Sequence, residues 1–204
     1  METRKIPAVI YAESTPNPVA MKFVANRLLI NNGNTVEYNN KAEAKGSPLA
    51  LELFNFPFIK GVFVTGNFVT LIKSDLVNWN DVTLELREYI QQYLNEGKVV
   101  INELPEQQTN DSTHGPLDHG VTHVEPKTES EARIIDLLEE YIRPAVEQDG
   151  GAIYFKSYEE GIVTLTLKGS CSGCPSSSMT LKAGIEGLLK RMIPEVKEVV
   201  AEAM

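Results

Sequence analysis

The sequence predicts an α+β protein with two small domains of mixed helix and strand joined by a flexible linker. In both halves of the chain, short apolar runs of strand character alternate with segments of helical periodicity. A polar stretch between about Asn102 and Lys127 offers no periodic apolar face, which is typical of a flexible linker. We therefore place one domain at residues 1–100, the linker at residues 101–127 and a second domain at residues 128–204.

The distribution of charge agrees with this division. Residues 1–100 carry 10 acidic and 10 basic side chains, residues 101–127 carry 5 and 1, and residues 128–204 carry 13 and 8. The net charge of −9 leaves little basic surface to meet phosphate, which argues against nucleic acids and anionic membranes as partners. No apolar run approaches the ~20 residues that span a bilayer. No secretory or transit leader is recognisable at the N-terminus, so we expect a cytoplasmic protein.

Four strands are predicted in the first domain. Residues 21–24 and 27–30 have the composition of two short strands. Residues 59–65 and 67–73 flank a Gly66-Asn67 turn and are expected to pair as a hairpin.

Two helices are predicted in the same domain. Ser47 followed by Pro48 predicts a helix start, because a capping hydroxyl precedes a proline at the first helical position. This helix should carry Leu49, Leu53 and Phe54 and end before Pro57. Residues 81–94 form a second, amphipathic helix that Gly97 ends. Its apolar stripe is expected to include Leu84, Leu86, Ile90 and Leu94, with Tyr89 or Glu88 beside it.

The second domain has the predicted order α-β-β-α-β. Thr128 and Glu131 have the spacing of a capping box, which begins a helix that Pro144 disturbs. Residues 152–158 and 162–168 are expected to pair as a hairpin, and a helix over residues 175–192 precedes a last strand at 196–200. The two helices should bury the apolar sets Ile134, Leu138, Tyr141, Ile142 and Leu181, Ile185, Leu188, Met192.

Two cysteines, Cys171 and Cys174, carry the strongest chemical signal. They lie between a predicted strand and a predicted helix, and their two-residue spacing lets both sulfur atoms face one centre. Pro175 suits the first helical position, and the unpaired N–H groups of a helix start favour negative charge such as thiolate or sulfide. This environment lowers a thiol pKa and favours metal binding.

Three interpretations of the Cys171–Cys174 pair stay open from the residues alone, beside the possibility that the two thiols have no shared role. A dithiol oxidoreductase of the thioredoxin type needs a large βαβ remainder, whereas only 30 residues follow Cys174. A zinc-bridged interaction module and an iron–sulfur site each normally take four ligands. Because the chain has no second such pair, the missing thiolates would come from a second copy in a symmetric dimer.

Three further stretches contain residues that could contribute to a site. Asp149-Gly150-Gly151 is predicted to be a turn, although it could approach a bound cluster. Thr15-Pro16-Asn17-Pro18 is predicted to be a rigid extended segment without assignable chemistry. The histidines His114, His119 and His123 fall in the linker and are expected to be part of a disordered polar segment.

The stretch from Gly169 to Glu186, GSCSGCPSSSMTLKAGIE, resembles the signature of the C-terminal domain of the NifU-like (Nfu) family. Residues 143–151, RPAVEQDGG, and residues 193–196, IPEV, are similar to the same family in the same order. The N-terminal part resembles the family's N-terminal domain in TPNP at 15–18, SPLA at 47–50 and GVFV at 61–64, with Trp79 before a helix.

The resemblance implies an iron–sulfur cluster scaffold or carrier and not an enzyme. It implies that Cys171 and Cys174 ligate a labile [4Fe–4S] cluster that bridges two protomers. The implied partners are a second copy of the chain, upstream cluster donors and apo-proteins that receive the cluster.

Overall fold

The computed structural model describes residues 6–31, 34–103, 124–172 and 175–203. Packing divides the chain into two compact units. The first unit consists of Met1–Glu13 and Lys22–Val121, and the second consists of Ser14–Met21 and Thr122–Met204. Both contain helices and strands, so the predicted α+β class is confirmed.

A five-stranded sheet has the strand order β1-β2-β5-β4-β3. The strands are β1 (Ile10–Ser14), β2 (Ala20–Ala25), β3 (Thr35–Tyr38), β4 (Ile59–Thr65) and β5 (Phe68–Lys73). The predicted hairpin is confirmed, because β4 and β5 pair in antiparallel register from Thr65 opposite Phe68. Gly66 turns the chain between them with φ +46°, a conformation that glycine adopts without steric cost.

The predicted strand at residues 27–30 is wrong. The N–H groups of Leu29 and Ile30 both donate to the carbonyl of Gly66, at 2.8 and 3.2 Å. Two donors that share one carbonyl do not form a strand ladder, so this stretch is a loop bound to the hairpin turn. Strands β1 and β3 were not predicted, since each is too short for a distinct period of two.

Helices α1 (Pro48–Leu53) and α2 (Trp79–Asn95) confirm the two helices of the first unit. The Ser47 hydroxyl accepts a hydrogen bond from the N–H of Ala50 at 3.2 Å, so the predicted cap is present. Gly97 follows α2 with φ +74° and donates to the carbonyl of Leu94 at 3.1 Å. A 3₁₀ turn at Glu43–Gly46 precedes α1.

The buried face of α2 is displaced from the predicted stripe. Leu84 is 58% exposed, contrary to expectation. The side chains of α2 that are buried are Val82, Leu86, Ile90, Tyr93 and Leu94. Their spacing of about four residues follows one helical face, and Leu84 lies outside it.

The second unit contains the predicted order α-β-β-α-β. Its elements are α3 (Glu129–Leu137), α4 (Arg143–Gln148), β6 (Gly151–Glu159), β7 (Ile162–Gly169), α5 (Pro175–Met192) and β8 (Glu198–Ala203). The N–H of Arg143 donates to the carbonyl of Leu138, which makes Leu138–Ile142 a π turn between α3 and α4. Pro144 cannot donate a backbone hydrogen bond, so the predicted disturbance takes the form of this widened turn.

The second unit contains a three-stranded sheet with the strand order β6-β7-β8. Strands β6 and β7 pair as the predicted antiparallel hairpin, and Glu160 and Gly161 turn between them with φ of +52° and +88°. Two successive positive φ angles match the right-handed twist of a hairpin. Strand β8 runs parallel to β7 and begins two residues later than predicted.

Helices pack on one face of this sheet to form the core of the second unit. The core residues shared by α3, the π turn, β7 and α5 include Ile134, Leu138, Val163, Leu165, Leu167, Ile185 and Leu189. On α5 the buried positions are Ile185 and Leu189, followed by Ile193, so the predicted residues Leu188 and Met192 lie beside the buried face. Tyr141 is also wrong as a core residue, because the π turn rotates it outward and leaves it 53% exposed.

We predict that Thr128→Ala loosens the start of α3. The hydroxyl of Thr128 accepts from the N–H of Glu131 at 3.2 Å, and the Glu131 carboxylate accepts from the N–H of Thr128 at 3.1 Å. Loss of such a cap costs about 1 kcal/mol, so amide exchange in the first turn should speed up about fivefold. Hydrogen exchange read by mass spectrometry checks this, with Ser130→Ala as control. Unchanged exchange in Thr128→Ala would contradict the capping role.

Candidate functional site

Cys171 lies in the turn that joins β7 to α5. Strand β7 ends at Gly169, whose φ is +67°, and the helix begins at Pro175. Cys171 is only 7% exposed and packs with the core of the second unit. The second predicted ligand, Cys174, lies outside the described residues.

Hydrogen bonds to the backbone shape this turn. The N–H and the hydroxyl of Ser172 both donate to the carbonyl of Gly169, at 3.1 and 2.8 Å. The N–H of Ser170 donates to the carbonyl of Gly150 at 3.2 Å, and its hydroxyl donates to the carbonyl of Asp149. The cysteine turn is therefore bonded directly to the Asp149-Gly150 turn, which comes earlier in the chain.

The Asp149-Gly150-Gly151 stretch is a turn, as predicted, and it also forms one wall of the cysteine site. Gly150 has φ +80°, and Gly151 begins β6 opposite Gly169. A Cβ added at Gly151 would lie 2.7 Å from the Sγ of Cys171 and 2.7 Å from the carbonyl oxygen of Lys168. Only a glycine leaves room for the thiol at this position.

The segment from Thr15 to Pro18, for which the sequence indicated no chemistry, packs beside the same turn. Asn17 is 3% exposed, and its Nδ2 donates to the carbonyl oxygen of Ser170 at 2.9 Å. The two residues are 153 positions apart in the chain. No periodicity or spacing in a single sequence connects positions so far apart, so sequence reasoning missed Asn17 as a site residue.

A small cavity of about 30 Å³ lies beside the thiol. It is lined by Pro16, Asn17, Asp149, Ser170, Cys171 and Leu181. A buried water needs about 10–15 Å³, so this cavity accommodates about two or three waters. An assembly of eight iron and sulfur atoms does not fit in it.

Helix α5 is fixed to the sheet at its far end. Glu186 accepts hydrogen bonds from the Nζ of Lys190 at 2.6 Å and from the N–H of Val199 in β8 at 3.2 Å. The ammonium of Lys190 and the N–H of Val199 hold the pKa of Glu186 below its usual value. At neutral pH this carboxylate is therefore ionised and joins α5 to β8.

Other metal-ligating groups are not clustered in the described parts of the chain. There, no three side chains of His, Cys, Asp or Glu are grouped as a metal site would require. The histidines His114, His119 and His123 lie outside the described residues. The helices of residues 6–103 and 124–203 that are described include none with the length and hydropathy needed to cross a membrane.

Comparison with known proteins identifies related sequences for both halves of the chain. Residues 10–97 match the family described as "Scaffold protein Nfu/NifU N terminal", and residues 134–200 match the "NifU-like domain". Proteins named "NFU1 iron-sulfur cluster scaffold homolog, mitochondrial" from Drosophila sechellia and Drosophila erecta are each 37% identical to this chain over 190 residues. Each alignment covers 93% of this chain but 63% of the relative, so the chain spans less than two thirds of their length.

A solved structure also shows a partial likeness. The solution NMR structure of a NifU-like protein from Saccharomyces cerevisiae is 24% identical, with a TM-score of 0.44. The match covers 50% of this chain and 92% of that protein. Because both family descriptions match in the expected order, and together cover most of its length, the chain belongs to the Nfu family of NifU-like proteins.

Proposed function

We propose that this chain is a non-enzymatic iron–sulfur cluster scaffold that holds a labile [4Fe–4S] cluster between two protomers through Cys171 and Cys174, and delivers it to apo-proteins. The observation that carries the proposal is the location of Cys171 in a tightly bonded turn, before a helix start and against a glycine without room for a side chain. The relatives named as iron–sulfur cluster scaffolds support it.

The donor chemistry of the turn fits an iron–sulfur cluster. Thiolate is the usual protein ligand of such clusters. The first N–H groups of α5 lack helical partners and favour negative charge at the end of the helix where Cys171 and Cys174 lie in the sequence. Helix starts in general favour anionic ligands, and thiolate is the form of cysteine that binds a metal.

The number of cysteines favours a cluster shared between chains. The sequence holds two cysteines, and a [4Fe–4S] cluster normally takes four thiolates. A symmetric dimer supplies four by bringing one pair from each protomer. The cavity of about 30 Å³ beside Cys171 is too small for the cluster, so this cavity is not part of the proposed binding site.

Ligation by two thiolates from each chain explains how the cluster would be released. Separation of the protomers removes half of the ligands at once, whereas the thiolates of a recipient would replace them one at a time. The partners in this proposal are upstream cluster donors, a second copy of the chain and apo-proteins that receive the cluster. The cytoplasmic location stays a prediction from the sequence; the Drosophila relatives are named as mitochondrial.

We predict that Cys171→Ser and Cys174→Ser each abolish cluster binding while the fold persists. Serine is close to cysteine in size, and no other cysteine in the chain can replace the lost ligand. Anaerobic reconstitution followed by iron and sulfide analysis measures the loss, with Ser157→Ala in β6 as the control that keeps the cluster.

A full cluster in either cysteine variant would show that the ligands are wrong. The same experiment on the unchanged chain separates the alternative functions. A brown sample with iron and sulfide supports the scaffold, whereas a colourless dimer with zinc supports the interaction module. A colourless monomer without metal but with thiol reductase activity supports the dithiol oxidoreductase.

Cluster uptake is expected to double the mass of the protein. With two thiolates per chain, the loaded form should contain about one cluster per two chains. Anaerobic size-exclusion chromatography with light scattering should show a dimer after loading and a monomer after the iron is chelated. A monomer that elutes with a full [4Fe–4S] cluster would contradict the bridged arrangement.

Gly151→Ala should impair both stability and cluster uptake. The new Cβ would lie 2.7 Å from Cys171 Sγ and from the backbone oxygen of Lys168, so the thiol must move. Such overpacking costs about 1–3 kcal/mol. Urea unfolding and iron content measure the two effects.

Gly187→Ala is the matched control for this substitution. Gly187 lies in α5, where a Cβ would meet nothing within 4 Å, so alanine should stabilise the helix by up to about 1 kcal/mol. Cluster uptake in this variant should be unchanged. Normal uptake by Gly151→Ala would contradict the importance of the contact between Gly151 and Cys171.

A further inference from the structure

We infer that Asn17, near the start of the chain, is a positioning residue of the cluster site: its side-chain amide fixes the backbone that carries Cys171. This inference rests on the proposed function for its biological meaning. The contact itself belongs to the second unit, which includes Ser14–Met21.

The contact between Asn17 and Ser170 is buried and well formed. Nδ2 of Asn17 lies 2.9 Å from the carbonyl oxygen of Ser170, the residue directly before Cys171. Asn17 is 3% exposed and Ser170 is 2% exposed. Since a buried carbonyl that loses its donor is costly, the amide strongly favours this position of the turn.

Asn17 is itself held in place by its neighbours. Its Oδ1 accepts from the N–H of Val19 at 3.1 Å, and its carbonyl accepts from the N–H of Ala20 at 3.0 Å and from the hydroxyl of Thr15 at 2.9 Å. Prolines at positions 16 and 18 restrict the backbone on both sides. The segment therefore presents the amide with little loss of conformational entropy.

Asn17 completes a set of three anchors on Ser170. The N–H and hydroxyl of Ser170 bind the Asp149-Gly150 turn, and its carbonyl binds Asn17. The cavity of about 30 Å³ is lined by Asn17 and Cys171. If the bond from the Asn17 amide is lost, the turn that contains Cys171 can therefore shift into this cavity. A ligand of a metal centre must keep its orientation, and groups that bind its backbone provide this.

Asn17→Asp tests the amide alone. The aspartate keeps an oxygen for the N–H of Val19 but has no N–H to donate to Ser170. Asn17→Ala removes both bonds without adding a charge, so agreement between the two variants excludes an effect of charge. Asn26→Ala is the matched control, because Asn26 makes a similar pair of hydrogen bonds in the first unit. Its Nδ2 donates to the carbonyl of Pro7 at 3.1 Å, and its Oδ1 accepts from the N–H of Val9 at 3.0 Å.

The readout is the rate at which iodoacetamide alkylates each cysteine of the full-length, metal-free chain, resolved by mass spectrometry. We expect Cys171 to react about five- to tenfold faster in both Asn17 variants, as loss of a buried hydrogen bond implies. The rate at Cys174 should change less, and Asn26→Ala should leave both rates unchanged. In the loaded protein, a chelator should remove iron several-fold faster from the Asn17 variants.

An unchanged rate at Cys171 in both Asn17 variants would overturn the inference, as would an equal rise at both cysteines.

Circular dichroism shows whether the variants are folded. If they are not, Thr15→Ala decides the matter, since it keeps the amide but removes a bond that holds Asn17. A faster rate at Cys171 in that variant supports the inference, and no change overturns it. Alkylation needs no cluster, so failure of the unchanged chain to bind iron and sulfide would refute the proposed function separately.

Discussion

The close approach of Gly151 to Cys171 is the constraint on which the rest of the candidate site depends. It occurs where β6 begins and β7 ends, and it exists because Gly151 pairs with Gly169 across the hairpin. The register is set by the tight turn at Glu160 and Gly161 together with an irregularity between Phe155 and Ser157, which shifts the pairing by one residue before it reaches Gly151. A slip that set Ala152 opposite Gly169 would place a side chain against the thiol, and a slip of one residue in either direction would change which face of the hairpin the core residues occupy. The turn and this irregularity together therefore determine which residue of β6 lies against the thiol.

The second unit supports the site through its backbone more than through charge. Ser170 is held through its N–H, carbonyl and hydroxyl, and Ser172 closes the turn onto Gly169. Glu186 fixes the helix that follows to the last strand. A cysteine with such fixed surroundings keeps its direction without a bound metal, which lowers the entropy that a cluster would cost on binding.

Local signals in the sequence predicted most of the second unit. Thr128 and Glu131 marked a helix start, Gly161 a hairpin turn and Pro175 the first residue of α5, and each is confirmed. The prediction of which helix face is buried was less accurate. Alternative apolar stripes on one helix differ by a small rotation about the helix axis, and only packing against the rest of the domain determines which one is buried. Leu84, Leu188 and Met192 were misplaced for this reason. Tyr141 was misplaced because the π turn changes the helical phase after Leu138.

The position of the candidate site in the fold could be predicted, but its surroundings only in part. The two cysteines were expected between a strand and a helix, where Cys171 lies, and the Asp149-Gly150-Gly151 turn was expected; ligation of a metal by these cysteines stays a prediction. The role of Asn17 could not be predicted, because contacts between distant positions leave no periodic trace in one sequence.

The parallel pairing of β7 with β8 also determines how the second unit folds. The hairpin of β6 and β7 joins residues that are close in the chain, so it can form early and on its own. Ile162 pairs with Glu198, 36 positions later, and this pairing requires α5 to cross the sheet first. The cysteine turn is the first part of that crossover. The thiol's surroundings are therefore complete only when a contact between distant positions of the chain has formed, and such contacts carry the larger cost of loop closure.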